Sequence, residues 1–375
     1  MIYLDNSSTT KPDEKAVEAV VKAMENFGNP SSPHAVGTSS ASALREARQM
    51  VASAMKCDVS ELYFTSGGSE SNNTAIFGLA QKNSRHSKRI VTTDSEHASV
   101  EEPLAHLEKM GFEIIRIPTR RGELDFSRLR EALSQKTCLV TIMQVNNETG
   151  ALYSLERIRE EIDESECGAF FHSDCVQSFM KVTELFSKYC DASSVSAHKI
   201  GGIKGSGGLY LKKGIKIEPF VKGGGQERGF RSGTENMPGI MAFSAAVSAW
   251  GEEKRERNSH ISSLKSLLMS ELKSALADKV VFNLPQSSVC SVLNFSIPKI
   301  KSETVINSLS AKGIYVSASS ACSAHAKENR VLKAFGLSRE LAESAIRVGI
   351  SYSNTEEEIR VLCKTLGEVT ASLLK

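Results

Sequence analysis

The chain has 375 residues, which is enough for one large domain and a smaller one. Hydrophobic residues make up 40% and charged residues 24%, as in an ordinary soluble globular protein. With 46 basic and 44 acidic residues the net charge is only +2, which excludes a global field that would attract nucleic acid or an anionic membrane.

The eight cysteines are scattered and show neither a CxxC pair nor another metal-ligand spacing. This usage fits a reducing compartment better than a disulfide framework, and it predicts no metal site. The N-terminal residues lack the features of a secretory signal, and no apolar run approaches the ~20 residues needed to cross a bilayer. We therefore expect a soluble cytoplasmic protein that binds no membrane.

Helical and extended patterns alternate along the chain, which predicts an α/β fold with a largely parallel sheet. The predicted helices cover 13–27, 40–55, 155–162, 238–277, 303–312 and the stretch from about 355. The predicted strands cover 89–93, 112–117, 138–143, 170–174, 292–297, 314–318 and 344–350. In the first helix, Val17, Val20, Val21 and Met24 share one face.

The loop at 64–73 contains Gly67, Gly68 and Ser69 directly before a predicted helix. Free backbone N–H groups and the helix dipole make such a place suitable for a phosphate. A helix with an ordinary N-cap and a flexible entry loop would have the same sequence.

Polar side chains follow two further strands. His97 lies just past the strand at 89–93, where it could stack on a planar ring, move protons, or simply occupy an exposed loop. Asn146 follows the strand at 138–143, which fits ligand binding at the carboxyl ends of parallel strands but equally an Asx turn.

Two β-prone runs end in opposite charges, with Asp174 at the end of 170–174 and Lys199 at the end of 194–199. If the two runs are neighbouring strands, the two side chains emerge at the same edge of the sheet. A lysine that forms a Schiff base and an acidic partner for a pyridinium nitrogen are what a protein supplies to pyridoxal phosphate (PLP). A lysine considered alone is more often a solvated surface charge.

Glycine-rich segments follow at 201–208 and 222–234, and the second is either a flexible linker or a phosphate-binding loop. Near the C-terminus, Cys322 lies in a loop of serines and alanines, which favours an exposed, reactive thiol over a buried one. Arg347 could hold a carboxylate through two hydrogen bonds, although a surface ion pair is the commoner role of a lone arginine.

Taken together, these stretches resemble the cysteine desulfurases of the long-cysteine-loop type, in the class V aminotransferase group. The matching segments run in the same order and spacing over nearly the whole chain, and they are 3–10, 28–32, 64–73, 96–97, 145–148, 172–177, 196–199, 223–236 and 320–322. The resemblance implies the PLP-dependent transferase fold type I. It implies a large domain at 13–245 with a mainly parallel seven-stranded sheet, and a smaller α+β domain from 1–12 and 246–375 that carries the cysteine loop.

The resemblance also implies a role for each matching residue. PLP would be covalently bound to Lys199, with Asp174 at the pyridine nitrogen and His97 stacked on the ring as a proton-transfer group. The remaining cofactor contacts would come from residues on several loops, namely Gly68, Ser69, Asn146, Gln177, Ser196, His198 and Thr234. Thr234 would reach the phosphate of the other subunit, which implies a homodimer.

The implied reaction removes sulfur from L-cysteine and leaves L-alanine. Arg347, with Asn146, would bind the substrate, and Cys322 would take the sulfur as a persulfide for a protein acceptor in iron–sulfur cluster assembly or in tRNA or cofactor thiolation. Ser319-Ser320-Ala321-Cys322 replaces the usual Gly-Ser-Ala-Cys, and the residues after Cys322 differ from the usual loop, so the acceptor stays open.

Other functions remain compatible with parts of the sequence. A selenocysteine lyase or a cysteine sulfinate desulfinase would share Lys199 and Asp174 but depend less on Cys322. A non-catalytic sulfur-assembly scaffold could keep the same fold. A basic glycine-rich RNA-binding module at 222–231 is disfavoured by the near-neutral charge and by the lack of interleaved aromatic residues.

Overall fold

A computed structural model describes residues 1–319 and 329–374 of the protein. Its strands are β1 Ile2–Tyr3, β2 Leu62–Thr65, β3 Arg89–Thr93, β4 Glu113–Ile117, β5 Leu139–Thr141, β6 Phe170–Asp174, β7 Ala192–Ser196, β8 Gly207–Leu211, β9 Val281–Phe282, β10 Val292–Ser296, β11 Ile314–Tyr315, β12 Ser317–Ala318 and β13 Ala345–Gly349. Its helices are α1 Glu14–Glu25, α2 Ala35–Met55, α3 Gly68–Lys82, α4 Ala98–Lys109, α5 Phe126–Leu133, α6 Leu155–Ser165, α7 Phe186–Tyr189, α8 Met237–Glu252, α9 Lys254–Leu276, α10 Ser302–Ser310, α11 Arg330–Phe335, α12 Arg339–Glu343 and α13 Glu356–Leu373.

A seven-stranded sheet forms the centre of the molecule, in the order β2-β8-β7-β6-β5-β3-β4. Only β8 runs antiparallel to its neighbours in this sheet, so the predicted mainly parallel arrangement is confirmed. Strands β6 and β7 are adjacent, with Asp174 paired to Ser194. The two charged ends predicted from sequence therefore do leave the sheet at one edge.

Helices cover the sheet and bury apolar strands. Helix α3 packs across β6, β7 and β8, and Phe171 and Val195 are fully buried. Helix α8 packs on α1 and α2. The apolar residues predicted to share one face of α1 mostly point outward, since Val17, Val21 and Met24 are all exposed.

A second, antiparallel sheet has the order β12-β13-β10-β9, and helices α9, α10 and α13 pack together beside it in the C-terminal part. The N-terminus joins this part, because β1 pairs with β11 and Asp5 forms a bridge to Gly349. These pairings agree with a small domain of 1–12 and 246–375, although the boundaries stay a prediction. Within the described ranges, no helix has the length and apolar character needed to cross a membrane.

The predicted elements match the observed ones closely where the sequence pattern is strong. Strands 89–93 and 170–174 are confirmed residue for residue, and the last helix begins after Thr355 with a capping box to Glu358. The helix predicted at 40–55 begins earlier, at Ala35, because the imidazole of His34 caps it by accepting from the N–H of Gly37. The predicted helical stretch 238–277 is two helices, α8 and α9, which meet at Glu253.

Candidate active site

A cleft of about 320 Å³ lies at the edge of the sheet where β6 and β7 end. Nine of the residues predicted to form the site line this cleft, and they are Gly68, Ser69, His97, Asp174, Gln177, Ser196, His198, Lys199 and Arg347. They come from positions up to 279 residues apart, 347 minus 68, so the fold alone brings them together. Cys322 lies outside the described residues.

Lys199 stands at the end of one 3₁₀ turn, Ala197–Lys199, that directly follows β7. Its Nζ donates to the backbone oxygens of Ser7 at 2.6 Å and Ser8 at 2.7 Å. The N-terminal segment is fixed in turn, because the N–H of Thr10 donates to the backbone oxygen of His198 at 2.9 Å. The N-terminus therefore positions the lysine.

Asp174 ends β6 and is 7% exposed. Both of its carboxylate oxygens accept hydrogen bonds, Oδ1 from the N–H of Val176 at 2.9 Å and Oδ2 from Nδ2 of Asn72 at 2.7 Å. These two donors hold the carboxylate in place at the edge of the sheet, where it faces the cleft. Asn72 is not among the site residues predicted from the sequence.

His97 is the N-cap residue of α4, with Nδ1 accepting from the N–H of Ser99 at 3.1 Å. Desolvation in the cleft lowers the pKa of His97; Asp174 opposes this effect, while Lys199 adds to it. The neighbouring Glu96 is buried, and desolvation raises its pKa to about 8. His97 thus occupies an ordered helix start and not a loose loop.

The start of α3 forms one end of the cleft. Gly67 has a φ of 146°, and a Cβ at Gly68 would lie 2.5 Å from a methyl group of Val176, so the chain has no room for a side chain there. This 15-residue helix directs its first N–H groups and its dipole at the cleft, beside Ser69 and Ser196. A phosphate group fits this end of the cleft.

His198 also lines the cleft, and its Nδ1 lies 3.1 Å from Oγ1 of Thr9. Desolvation, followed by the charge of Lys199, lowers the pKa of His198 to about 4. His198 is therefore neutral at physiological pH, and toward an anion it acts as a hydrogen-bond donor and not as a charge.

Gln177 and Asn146 have different surroundings. Gln177 donates through Nε2 to the backbone oxygen of Ser7 at 2.8 Å, and its buried Oε1 has no partner among the described residues. Asn146 is 1% exposed and closes an Asx turn, since its Oδ1 accepts from the N–H groups of Glu148 and Thr149. Asn147, and not Asn146, lines the cleft.

Arg347 lies in the middle of β13 and is 1% exposed, so it is not a surface ion pair. Its guanidinium donates to Glu148 at 3.0 Å, to Asp5 at 3.1 Å and to Oγ of Ser8 at 2.7 Å. Burial raises the pKa of Glu148, and the nearby Arg347 opposes the effect. The arginine is held rigidly at the wall of the cleft.

Thr234 lies in a separate cavity of about 330 Å³, together with Thr65, Ser66 and Arg231. The glycine-rich segment that contains it is tied to β2, because the buried carboxylate of Glu227 accepts from Arg48 at 2.6 and 2.7 Å and from the N–H of Phe64 at 2.9 Å. The segment is therefore not a free linker. Within this one chain, Thr234 does not reach the cleft of Lys199.

The sequence profile of the Aminotransferase class-V family matches residues 2–362. A cysteine desulfurase IscS from Methanosarcina thermophila is 36% identical over 376 residues, which cover 99% of this chain and 92% of the relative. A solved NifS-like protein superposes with a TM-score of 0.93 at 34% identity, with 99% of both chains covered. A structure titled SspA in complex with cysteine has a TM-score of 0.83 at 28% identity, covering 95% of this chain and all of that one. The chain therefore belongs to the class-V aminotransferase family, and within it to the cysteine desulfurases.

Proposed function

We propose that the protein takes the sulfur of L-cysteine onto Cys322 as a persulfide and releases L-alanine. The protein is a PLP-dependent cysteine desulfurase by its family. The observation that carries the proposal for this chain is the meeting of Lys199, Asp174 and the start of α3 in one cleft, on adjacent strands.

The residues of the cleft fit PLP. Lys199 supplies the amine for covalent attachment, and the carboxylate of Asp174 suits the pyridine nitrogen. Gly68, Ser69, Ser196 and His198 surround the phosphate end. Gln177 has a buried oxygen without a partner in the described part of the chain, which suits a ligand donor. When bound, the cofactor withdraws electrons from the Cα of the amino acid and so weakens the Cβ–S bond.

The protein then contributes binding and sulfur transfer. Arg347 holds the substrate carboxylate against the wall of the cleft, which fixes the orientation of the thiol. The thiolate of Cys322 attacks the substrate sulfur, so a bond from Sγ to sulfur forms while the Cβ–S bond breaks. The electron pair of the broken bond stays with the substrate carbons, which take up a proton at Cβ and leave as L-alanine. Asn146 supports the same wall through the turn that carries Asn147 and Glu148.

A homodimer completes the site in this proposal. Thr234 lies outside the cleft of its own chain, next to Ser66 and Thr65 at the outer side of the α3 loop. A second subunit could bring its Thr234 to the phosphate. The persulfide then passes to a protein acceptor of iron–sulfur cluster assembly or thiolation in the cytoplasm, with no nucleic acid bound directly.

The substitution Cys322→Ala tests the persulfide step. We expect the purified variant to keep the absorbance of bound PLP and to lose alanine formation from L-cysteine, because the sulfur acceptor is removed while the cleft is untouched. Alanine is quantified after incubation with L-cysteine and a thiol reductant.

The half-buried Cys290 gives the matched control, since Cys290→Ala removes a thiol away from the cleft and should leave activity unchanged. Full alanine production by Cys322→Ala would contradict the persulfide mechanism. Retained activity on selenocysteine alone would instead favour a selenocysteine lyase.

A further inference from the structure

A chain of hydrogen bonds connects Asp174 with His97 through Asn72 and Ser99, two residues to which no role in the site has yet been assigned. Nδ2 of Asn72 donates to Oδ2 of Asp174 at 2.7 Å and to Oγ of Ser99 at 2.8 Å. Oγ of Ser99 lies 2.8 Å from Nδ1 of His97. These four side chains come from β6, α3 and α4, and Asn72 is fully buried.

Asp174 fixes the orientation of the Asn72 amide. A carboxylate can only accept, so the amide of Asn72 must turn its NH₂ group toward Asp174. The opposite orientation would place two oxygens 2.7 Å apart. The observed orientation persists even though it leaves Oδ1 of Asn72 buried without a partner among the described residues.

The same NH₂ group sets the polarity at Ser99. One hydrogen of Nδ2 goes to Asp174 and the other to Oγ of Ser99, which leaves the hydroxyl hydrogen of Ser99 available for Nδ1 of His97. The backbone N–H of Ser99 points at the same nitrogen at 3.1 Å. Nδ1 of His97 is therefore an acceptor, and the neutral ring carries its proton on Nε2.

We propose that Asn72 and Ser99 are positioning residues that use the negative charge of Asp174 to hold His97 as its Nε2–H tautomer. In this form the only lone pair of the neutral ring is on Nδ1, where Ser99 occupies it, so Nε2–H can donate a hydrogen bond and the ring can stack, but no unoccupied lone pair is offered to a proton of the substrate. Proton acceptance at the substrate then belongs to another group of the cleft. The inference rests on the proposed function only for this last consequence.

The tautomer can be measured without turnover, which separates this inference from the desulfurase activity. Histidine labelled with ¹⁵N is incorporated, and the imidazole shifts of His97 are assigned with His97→Gln. The spectra are recorded at mildly alkaline pH on the PLP-bound enzyme and again after the cofactor is removed, since none of the bonds involves it. We expect a protonated Nε2 and an unprotonated Nδ1 in both samples.

Two variants interrupt the chain of bonds at different points. Ser99→Ala and Asn72→Leu should each move the Nδ1 shift part of the way toward the average of two exchanging tautomers, because only the backbone N–H of residue 99 then still favours the Nε2–H form. The double variant should move it no further than Ser99→Ala alone, because both changes interrupt the same chain. We also expect Ser99→Ala to lower kcat about threefold to tenfold with little change in KM, as for the loss of one hydrogen bond.

The matched control is Ser71→Ala on the same helix. Ser71 is as fully buried as Asn72, and its Oγ lies 2.8 Å from Oγ1 of Thr65, outside the chain of bonds. The His97 shifts should therefore stay as in the wild type. An Nδ1–H tautomer in the wild type would overturn the proposal. So would unchanged shifts in Ser99→Ala, or additive effects in the double variant. If Asn72→Leu fails to fold, Ser99→Ala decides alone, because Ser99 is only partly buried.

Discussion

Arg347 interacts with two carboxylates, Asp5 and Glu148, before any substrate carboxylate arrives. One guanidinium between two negative charges would attract a third only weakly. Burial raises the pKa of the Glu148 carboxyl, which is the direction that lessens the negative charge beside Arg347, and Arg347 itself opposes the effect.

Lys181 makes a pH-dependent prediction possible. It lines a small cavity with Lys199 and Trp250, and desolvation, followed by repulsion from Lys199, lowers the pKa of Lys181 to about 7. An unfolded lysine keeps its proton up to a pH of about 10. Between these two values the unfolded chain binds more protons than the folded chain, so the free energy of unfolding rises with pH over this range. The protein is therefore least stabilised at pH 7, where Lys181 becomes protonated in the folded state.

We expect Lys181→Met to remove that slope, which is at most about 1.4 kcal/mol per pH unit. Melting temperatures of the wild type and the variant, measured from pH 7 to 9, should therefore converge as pH rises. The exposed Lys109 serves as the control, since Lys109→Met should leave the pH profile of the wild type unchanged. A constant difference in melting temperature between Lys181→Met and the wild type at every pH would contradict the lowered pKa of Lys181.

The sequence predicted the site residues whose position follows from a strand end, such as Asp174, Lys199 and His97. It could not predict Asn72 as their partner. Asn72 is 102 positions from Asp174, and its amide looks the same as that of the neighbouring Asn73, which bonds to the backbone of Ser69. Only the packing of α3 on β6 brings Asn72 and Asp174 together, and no local sequence pattern indicates that packing.

At the level of elements, strands were predicted best where apolar runs end in polar residues, as at 170–174. The break between α8 and α9 was missed, because a single glycine such as Gly251 is tolerated within a helix, and Glu253 adopts a non-helical conformation only in tertiary context. The segment 222–234 could also not be distinguished from a linker. Its order comes from Glu227, whose partner Arg48 is 179 positions away.

Glu227→Gln tests whether that ion pair orders the segment. The pair is buried, with side-chain exposures of 3% for Glu227 and 11% for Arg48. Removing one charge leaves the other buried and unpaired, so we expect a loss of about 3 kcal/mol in stability and weaker retention of PLP. Thermal unfolding and cofactor release on dialysis measure the two effects.

The control for this change is Glu218→Gln. Glu218 pairs with Lys222 near the same segment, but both side chains are more than 70% exposed, so stability should change little. Equal melting temperatures for Glu227→Gln and the wild type would mean that the segment is ordered by other contacts.

At the scale of the whole molecule, one chain leaves apolar surface uncovered. Met24 is 67% exposed and Phe27 83% exposed, and the adjoining Gly28 packs directly against Val36, which is 43% exposed. Contiguous exposed apolar surface of this kind marks interfaces. This exposed apolar surface and the position of Thr234 outside the cleft of its own chain both support the proposed dimer, in which each subunit contributes Thr234 to the site of the other.

Mixing two defective subunits tests that arrangement directly. Lys199→Ala removes the attachment lysine, and Thr234→Ala removes the phosphate contact that we assign to the partner. In a mixed dimer, one site then carries both defects, while the other combines an intact Lys199 with an intact Thr234 from the opposite chain. Random reassembly should therefore restore about a quarter of all sites, because half of the dimers are mixed and one of the two sites in each mixed dimer is intact.

The outcome depends on which chain each side chain serves. If Thr234 acted within its own chain, no mixed dimer would contain an intact site, and activity would stay at the average of the two parent variants. Alanine formation and borohydride trapping of PLP on Lys199 are measured after the variants are mixed and reassembled. A mixture of Lys199→Ala with Asp174→Ala gives the control, since both residues line the same cleft and the mixed dimer should recover nothing.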